Sequence, residues 1–183
     1  MTPSEAFEVL VTLVKGAEGF EARAYPDPAS PLSLALAKRG LLRAYKAYRA
    51  EIPEDLRSLS GAPWTIGYGE TQGVKEDMHW TEKFADVRLR ARLLQFMAGV
   101  VARCPILREL EPERLAACTS LAYNIGLGAF GSSSVARYTK RRDFALAEKA
   151  FHLWNKAGGK ILAGLVARRK VEASLYGLSY GQS

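Results

Sequence analysis

Two short stretches decide the predicted fold, residues 18–27 (EGFEARAYPD) and residues 64–69 (WTIGYG). The first places Glu18 at the predicted end of a helix and Asp27 nine residues later in a predicted loop. The second places Thr65 near the start of a short glycine-rich strand. Cleavage of a glycosidic bond needs two carboxyl groups in different environments, because one must donate a proton while the other stays charged. The spacing of Glu18 and Asp27 alone is weak evidence for such a site, because pairs of acids at this spacing arise by chance in a chain with 19 acidic residues.

The composition predicts a single domain over residues 1–183, with 48% hydrophobic and 25% charged residues. The net charge of +7 favours a polyanionic partner, and nucleic acid, an anionic membrane and bacterial peptidoglycan all fit it. No apolar run reaches the roughly 18 residues of a membrane span, so membrane insertion is not expected. The first residues lack the basic region of a signal peptide or signal anchor.

The cysteines and histidines show no pattern that predicts chemistry. Cys104 and Cys118 lie in apolar, helical surroundings, so we expect two buried free thiols, with a single bridge or a reactive site as the alternative. His79 and His152 have no carboxylate or cysteine at metal-ligand spacing. We therefore predict no metal and no cofactor, and we disfavour a zinc amidase and a cysteine peptidase.

Most of the chain has helical patterns. Residues 2–5 (TPSE) form a capping box that opens a helix, and the glycines at positions 16 and 19 leave Glu18 at its C-terminus. Its predicted buried face consists of Phe7, Leu10, Val11 and Val14. Thr81 is predicted to cap a long helix to about Arg103. The predicted buried stripe of that helix consists of Phe84, Val87, Leu94, Met97 and Val101. Further helices are predicted from Pro112 to Gly126, from Asp143 to about Trp154, and from about Ile161 to Tyr176.

Between the two deciding stretches, prolines predict a loop over residues 20–30. Residues 28–63 are predicted to be an inserted, largely helical segment with many basic residues, helical from Leu32 to Ala50. We call residues 28–63 the basic segment. It is either an amphipathic surface helix with a solvated basic face or an arm that contacts an anionic surface. One β-region is predicted between residues 64 and 75. The sum is an α+β fold that is mostly helical.

Three blocks of the sequence together form a longer pattern. The first combines residues 18–27 with residues 64–73 (WTIGYGETQG), the second is residues 121–130 (LAYNIGLGAF), and the third is residues 151–176 (FHLWNKAGGKILAGLVARRKVEASLY). Together they resemble the phage-type lysozymes of glycoside hydrolase family 24 over nearly the whole chain. The resemblance implies a two-lobed lysozyme-like fold, with the small β-region in an N-terminal lobe and a helical C-terminal lobe.

The resemblance also implies roles for individual residues. Glu18 is the implied general acid, Asp27 the second carboxylate, and Thr65 the residue that helps to hold the attacking water. The implied substrate-binding residues are Tyr123, Asn124, Thr71 and Ser133.

Two arginines near the C-terminus are candidate orienting residues. We expect Arg168 or Arg169 to pack under Glu18 and orient its carboxyl group. The simpler alternative is a surface ion pair between Arg168 and Glu172, four residues apart on one helix.

The chain departs from the family pattern between Asp27 and Thr65, where 37 residues intervene. The basic segment accounts for nearly all of the excess, and it must fold out of the cleft for the two residues to meet. Glu70 follows the strand directly and is an additional acid near the predicted site, with a structural role as one option.

The implied protein is a phage or prophage endolysin that hydrolyses the β-1,4 bond between N-acetylmuramic acid and N-acetylglucosamine and so lyses the host cell. Its implied partner is the peptidoglycan glycan strand. We expect a monomer without a nucleic-acid partner that accumulates in the host cytoplasm and reaches the wall in the periplasm through a holin-type pore. The alternatives are a lytic transglycosylase on the same bond and a non-catalytic basic protein that binds the wall or nucleic acid.

Overall fold

The computed structural model describes residues 1–178, and the last five residues of the predicted domain lie outside the described residues. Its helices are α1 (Pro3–Glu18), α2 (Pro31–Lys38), α3 (Leu42–Lys46), α4 (Glu82–Arg103), α5 (Pro112–Ile125), α6 (Leu127–Ser132), α7 (Ser134–Lys140), α8 (Phe144–Phe151) and α9 (Ala163–Gly177). Its strands are β1 (Glu21–Pro26), β2 (Trp64–Gly67), β3 (Lys156–Ala157) and β4 (Lys160–Ile161). Short 3₁₀ turns lie at Glu54–Leu56 and Pro105–Arg108. The mostly helical α+β prediction is therefore confirmed.

The chain divides into two compact units. The smaller unit is Glu18–Leu89, and the larger unit combines residues 1–17 with the chain from Arg90 onward. The smaller unit contains the sheet of β1 and β2, which pair antiparallel. The extent of one domain over residues 1–183 stays a prediction.

The predicted start of α1 is confirmed by both bonds of a capping box. The Thr2 backbone N–H donates to the Glu5 carboxylate at 2.8 Å, and the Glu5 N–H donates to the Thr2 hydroxyl at 3.2 Å. The predicted face is buried at Leu10, Val11 and Val14, while Phe7 is half-buried.

The loop prediction for residues 20–30 is wrong over residues 21–26, which form β1. Tyr25 lies opposite Thr65, and Pro26 lies opposite Trp64. Proline is tolerated at the end of an edge strand, where its missing N–H costs no ladder bond. The β-region predicted from residue 64 is therefore only half of this sheet, because its partner lies earlier in the chain.

The continuous helix predicted from Leu32 to Ala50 is also wrong. It is broken into α2 and α3 at Gly40, whose φ of +69° favours glycine and ends a helix. Nor is the segment only a surface helix. Leu32, Leu36 and Tyr45 are 0–2% exposed and belong to the core cluster of the smaller unit. Burial of each such side chain stabilises the folded state by roughly 1.5–3 kcal/mol.

The long helix α4 begins as predicted, since the Thr81 hydroxyl accepts the Phe84 N–H at 3.2 Å. Its predicted buried stripe is largely wrong. The side chains of Phe84, Val87 and Leu94 are 48–60% exposed, and of the predicted set only Val101 is buried. The buried residues are Ala85, Leu89, Leu93, Val100 and Val101. Apolar residues occupy adjacent rows of this helix, so hydrophobic spacing alone does not select the row that faces the core.

In the larger unit, α5 contributes a nearly continuous run of buried residues and packs against α9. Gly126 has a φ of +87° and ends α5 as predicted. The hairpin of β3 and β4, which turns at the two glycines 158 and 159, was not predicted. Cys104 and Cys118 are buried free thiols, as expected. Within residues 1–178, no helix combines the length and the apolar character that a membrane crossing requires.

Candidate active site

Glu18 is the last residue of α1 and is half-buried. The helix ends there because Gly19 adopts a φ of +70°, a left-handed conformation that glycine enters without steric cost. The strand β1 begins two residues further on. The sequence prediction for the position of Glu18 is therefore confirmed, while its role as an acid stays a prediction.

Asp27 directly follows β1 and is held by its own backbone. Its N–H donates to the carbonyl oxygens of Gly61 and Pro63, at 3.1 and 3.0 Å, which extends the pairing with the chain before β2. Its Oδ1 accepts the Ala29 N–H at 2.8 Å, so Asp27 also organises the turn that leads into α2. These bonds fix the carboxyl group at the end of β1. The 37 intervening residues do not separate Asp27 from the strand that carries Thr65.

Tyr25 lies opposite Thr65 in the sheet, and the sequence interpretation gave it no role. Burial raises the pKa of the Tyr25 phenol, and the negative charges of Glu21, Glu18 and Asp27 raise it further, while the Thr65 side chain opposes the shift. The phenol therefore stays protonated within electrostatic reach of both predicted carboxylates.

The two-residue distance between Tyr25 and Asp27 was a usable signal for that role. Residues two apart on a strand point to the same face, so a tyrosine two positions before a strand-end aspartate is expected beside it. Because residues 20–30 were predicted to be a loop, the strand spacing of Tyr25 and Asp27 was not recognised.

The turn after β2 is organised by Glu70. Its Oε1 accepts the N–H groups of Thr71 and Gln72 at 3.0 and 2.9 Å, and its backbone forms both bonds of a bridge to Ile66. Glu70 is 7% exposed, with the Arg88 guanidinium 3.6 Å from Oε2. These contacts give Glu70 a structural role. Thr71 is exposed at this turn, and its contact with substrate stays a prediction.

In the larger unit, Tyr123 and Asn124 lie in the last turn of α5. The Tyr123 ring is half-buried, with its centroid 5.2 Å from that of Phe96. The Asn124 Oδ1 accepts a hydrogen bond from the Arg169 guanidinium at 3.1 Å. This bond orients the amide of an otherwise exposed residue.

Arg168 and Arg169 belong to a buried cluster with Glu172 and Ser120. Arg168 Nε lies 3.1 Å from Glu172 Oε1, Arg169 Nε lies 3.0 Å from Oε2, and the Ser120 hydroxyl donates to Oε1 at 2.6 Å. Burial raises the pKa of Glu172, while Arg169, Ser120 and Arg168 oppose that shift. The predicted ion pair between Arg168 and Glu172 is confirmed, but its predicted surface position is wrong, because Glu172 and Arg169 are 0% exposed and Arg168 is 7% exposed. The predicted orientation of Glu18 by either arginine joins residues of different units and stays a prediction.

Ser133 is the N-cap of α7 and is 3% exposed. Its hydroxyl donates to the Phe130 carbonyl at 2.6 Å and accepts the Ala136 N–H at 3.1 Å. These bonds account for the serine structurally, as a helix cap. Its predicted contact with sugar stays a prediction.

No group of three or more histidine, cysteine, aspartate or glutamate side chains in the described part of the chain could hold a metal ion.

Comparisons with known proteins agree with this arrangement. The family model described as phage lysozyme matches residues 43–172. An endolysin of Bacillus phage PZA is 38% identical over 136 residues, which cover 74% of this chain and 48% of that protein. Among solved structures, the muramidase domain of SpmX from Asticaccaulis excentricus has a TM-score of 0.69 at 27% identity and covers 92% of this chain and 94% of that one. A point mutant of the P22 lysozyme has a TM-score of 0.64 at 25% identity, over 92% and 94% of the two chains.

The chain therefore belongs to the phage lysozyme family. It spans about half the length of the Bacillus phage endolysins that it matches. The residues matched by the family model include Thr65 and Asn124 but begin after Glu18 and Asp27. The two predicted carboxylates thus depend on the local geometry described above.

Proposed function

We propose that the protein is a muramidase, a glycoside hydrolase of family 24 that cleaves the β-1,4 bond between N-acetylmuramic acid and N-acetylglucosamine in peptidoglycan. Family membership and the similarity to an endolysin and a muramidase domain support a wall-degrading activity. The bond specificity and the residue roles are the finer parts of the proposal.

The observation that carries the residue assignment is the environment of Tyr25. Tyr25 lies opposite Thr65 in the sheet, and the negative charges of Glu18 and Asp27 raise the pKa of its phenol. All four residues belong to the smaller unit. Two carboxyl groups on either side of β1 and a hydroxyl on the paired strand β2 supply the groups that glycoside hydrolysis requires.

In the proposed reaction, Glu18 protonates the bridging oxygen as the bond to the anomeric carbon breaks and positive charge develops on the sugar ring. Asp27 stays ionised, stabilises that charge and accepts a proton from the attacking water. Thr65 holds this water, and its pairing with Tyr25 in the sheet fixes its position. A water-mediated single displacement inverts the anomeric configuration.

The test is Glu18→Gln, which keeps the side-chain shape and removes the proton donor. Activity on purified peptidoglycan is expected to fall by about 100-fold or more, because a general acid typically contributes 10²–10⁴ in rate. The matched control is Glu76→Gln, an exposed acid of the same unit, which should remain active. Mass spectrometry of the products should detect ordinary reducing ends. Anhydromuramic ends would assign the chain to the lytic transglycosylases, and an active Glu18→Gln variant would refute the role of Glu18.

We further propose that the protein acts as a monomer, that it accumulates in the host cytoplasm, and that a holin-type pore gives it access to the wall. The similarity to an endolysin supports action on the cell wall, and the route to the wall is the proposed part. Expression with and without a membrane-permeabilising agent tests it, since lysis should require the agent. Lysis of intact cells without permeabilisation would contradict the route.

A further inference from the structure

The basic segment forms one wall of a pocket in the smaller unit. Its helix α3 contributes Leu42, Arg43 and Lys46, Ala47 follows that helix, and β1 contributes Glu21. The pocket has a volume of about 350 Å³ and is open to solvent. Leu42 and Ala47 give it an apolar part, while the other three residues carry two positive charges and one negative charge.

The segment is fixed against β1 by a buried arginine. Arg23 of β1 is 4% exposed, donates to the Glu51 carboxylate at 3.2 and 2.7 Å, and lies 4.1 Å from the centroid of the Tyr45 ring. The Tyr45 hydroxyl donates to the Ala24 carbonyl of the same strand at 3.3 Å. These contacts attach α3 to the strand that ends at Asp27.

The pocket and the proposed active site share a contact at Tyr25. Lys46 forms an ion pair with Glu21 and places its ammonium group 4.0 Å from the centroid of the Tyr25 ring. The same tyrosine lies opposite Thr65 in the sheet. A group that occupied the pocket would therefore be adjacent to a sugar bound at Glu18 and Asp27.

Charge pairing leaves one arginine of the pocket available for a ligand. The basic segment has six basic and three acidic residues. Arg39, Arg57 and Lys46 are paired with Asp55, Glu54 and Glu21, respectively. Among the described residues, the side chain of Arg43 has no ion-pair or hydrogen-bond partner, and it is exposed at the pocket. Arginine binds carboxylates with two parallel hydrogen bonds.

We propose that this pocket is a subsite for the peptide stem of peptidoglycan, with Arg43 bound to a stem carboxylate. The inference rests on the proposed function. The peptide is attached to the lactyl group of muramic acid, so it leaves the glycan next to the bond that is cut. Glu21 accepts hydrogen bonds from peptide N–H groups but repels a polyphosphate, so the mixed charge favours a peptide over teichoic acid. Arg43 is thus a specificity-determining residue, and it takes no part in bond cleavage.

The first experiment compares kcat/KM for glycan strands that keep their peptides and for strands stripped of peptide by an amidase. The wild type should have a higher kcat/KM for the peptide-bearing strands. Arg43→Ala should reduce that preference about tenfold, mainly by raising KM, because a hydrogen bond between charged groups typically contributes about a factor of ten to binding. The matched control Arg49→Ala removes the same charge from an exposed arginine of the segment outside the pocket. It should keep the wild-type preference. An unchanged preference in Arg43→Ala, or an equal loss in both variants, overturns the subsite.

The second experiment remains decisive if the chain hydrolyses neither substrate. Binding of the disaccharide-tetrapeptide of peptidoglycan and of the disaccharide alone is measured by calorimetry or by NMR titration. Wild type should bind the peptide-bearing form more tightly than Arg43→Ala does, and the two should bind the disaccharide alike. Equal binding of the peptide-bearing form refutes the subsite. Displacement of that ligand from the pocket by millimolar inorganic phosphate would assign the pocket to a phosphate ligand and also overturn the proposal.

Discussion

Arg23 in the smaller unit and Arg169 in the larger unit are both buried, but their charges are balanced in different ways. In the smaller unit, Arg23 is 4% exposed, while its partner Glu51 has a side chain that is 74% exposed. The rings of Tyr45 and Tyr48 cover the guanidinium, with centroids 4.1 and 5.4 Å away. In the larger unit, the side chain of Arg169 and its carboxylate partner are both 0% exposed.

This difference shows which contact stabilises each site. An ion pair with a solvated carboxylate is weak, because water screens the attraction, so Arg23 depends mainly on its rings and on backbone carbonyls. A buried carboxylate between buried arginines cannot be removed without leaving charge uncompensated in a low-dielectric interior. The two clusters also hold different site residues. Arg23 anchors the basic segment to the strand that ends at Asp27, whereas Arg169 orients Asn124.

The largest effect is expected for Glu172→Gln in the larger unit. The free energy of unfolding should fall by about 3–5 kcal/mol, because Arg168 and Arg169 lose their buried counter-charge. Urea denaturation monitored by circular dichroism measures the change. A loss below about 1 kcal/mol would show that the ion pairs of Glu172 are no stronger than an exposed ion pair, and the difference from Arg23 and Glu51 would then disappear.

A smaller effect is expected at alkaline pH from Tyr45, the ring nearest to Arg23. Burial raises its pKa to about 12, against an ordinary value near 10. Between these values the unfolded chain releases the phenolic proton while the folded chain keeps it, so the unfolded state gains stability as pH rises. The free energy of unfolding should therefore decrease by about 2–3 kcal/mol from pH 9 to pH 12 through this group.

The control for this prediction is Tyr45→Phe, measured by urea denaturation at the same pH values. The variant should start less stable, because it lacks the bond to the Ala24 carbonyl. It should then lose less stability than wild type as pH rises. Parallel pH curves would show that Tyr45 ionises normally and is not enclosed around Arg23.

The smallest effect is expected for Glu51→Gln in the smaller unit. The free energy of unfolding should change by less than about 1 kcal/mol, because the carboxylate is solvated and Arg23 keeps its aromatic and carbonyl contacts. The same denaturation experiment provides the direct comparison with Glu172→Gln. Equal losses in the two variants would show that solvent exposure of the partner does not distinguish the two arginine sites.

Local sequence signals predicted the ends of several elements well. The capping box at residues 2–5, Thr81 before α4 and Gly126 after α5 act within one turn of the chain. Such signals depend on residues close in sequence, so they are readable without tertiary structure. The same reasoning placed Glu18 at the end of α1.

Two predictions that needed a distant partner failed, the loop over residues 21–26 and the buried stripe of α4. The strand β1 is defined by its pairing with β2, which lies beyond the basic segment, and the face of α4 that is buried is chosen by its neighbours. Tyr25 acquires its importance only when Thr65 is opposite it. Hydrophobic spacing contains no information about which distant residues meet.

The sequence by itself determined the family, the helix that ends at Glu18 and the chemical types of the candidate site residues, because short motifs encode caps, turns and reactive groups. Only the tertiary structure decided that Asp27 remains paired with the chain before β2 across the basic segment, that Tyr25 lies opposite Thr65, and that Glu172 is buried between two arginines. Those outcomes depend on desolvation and on contacts between residues far apart in the chain, which are established only when the chain folds.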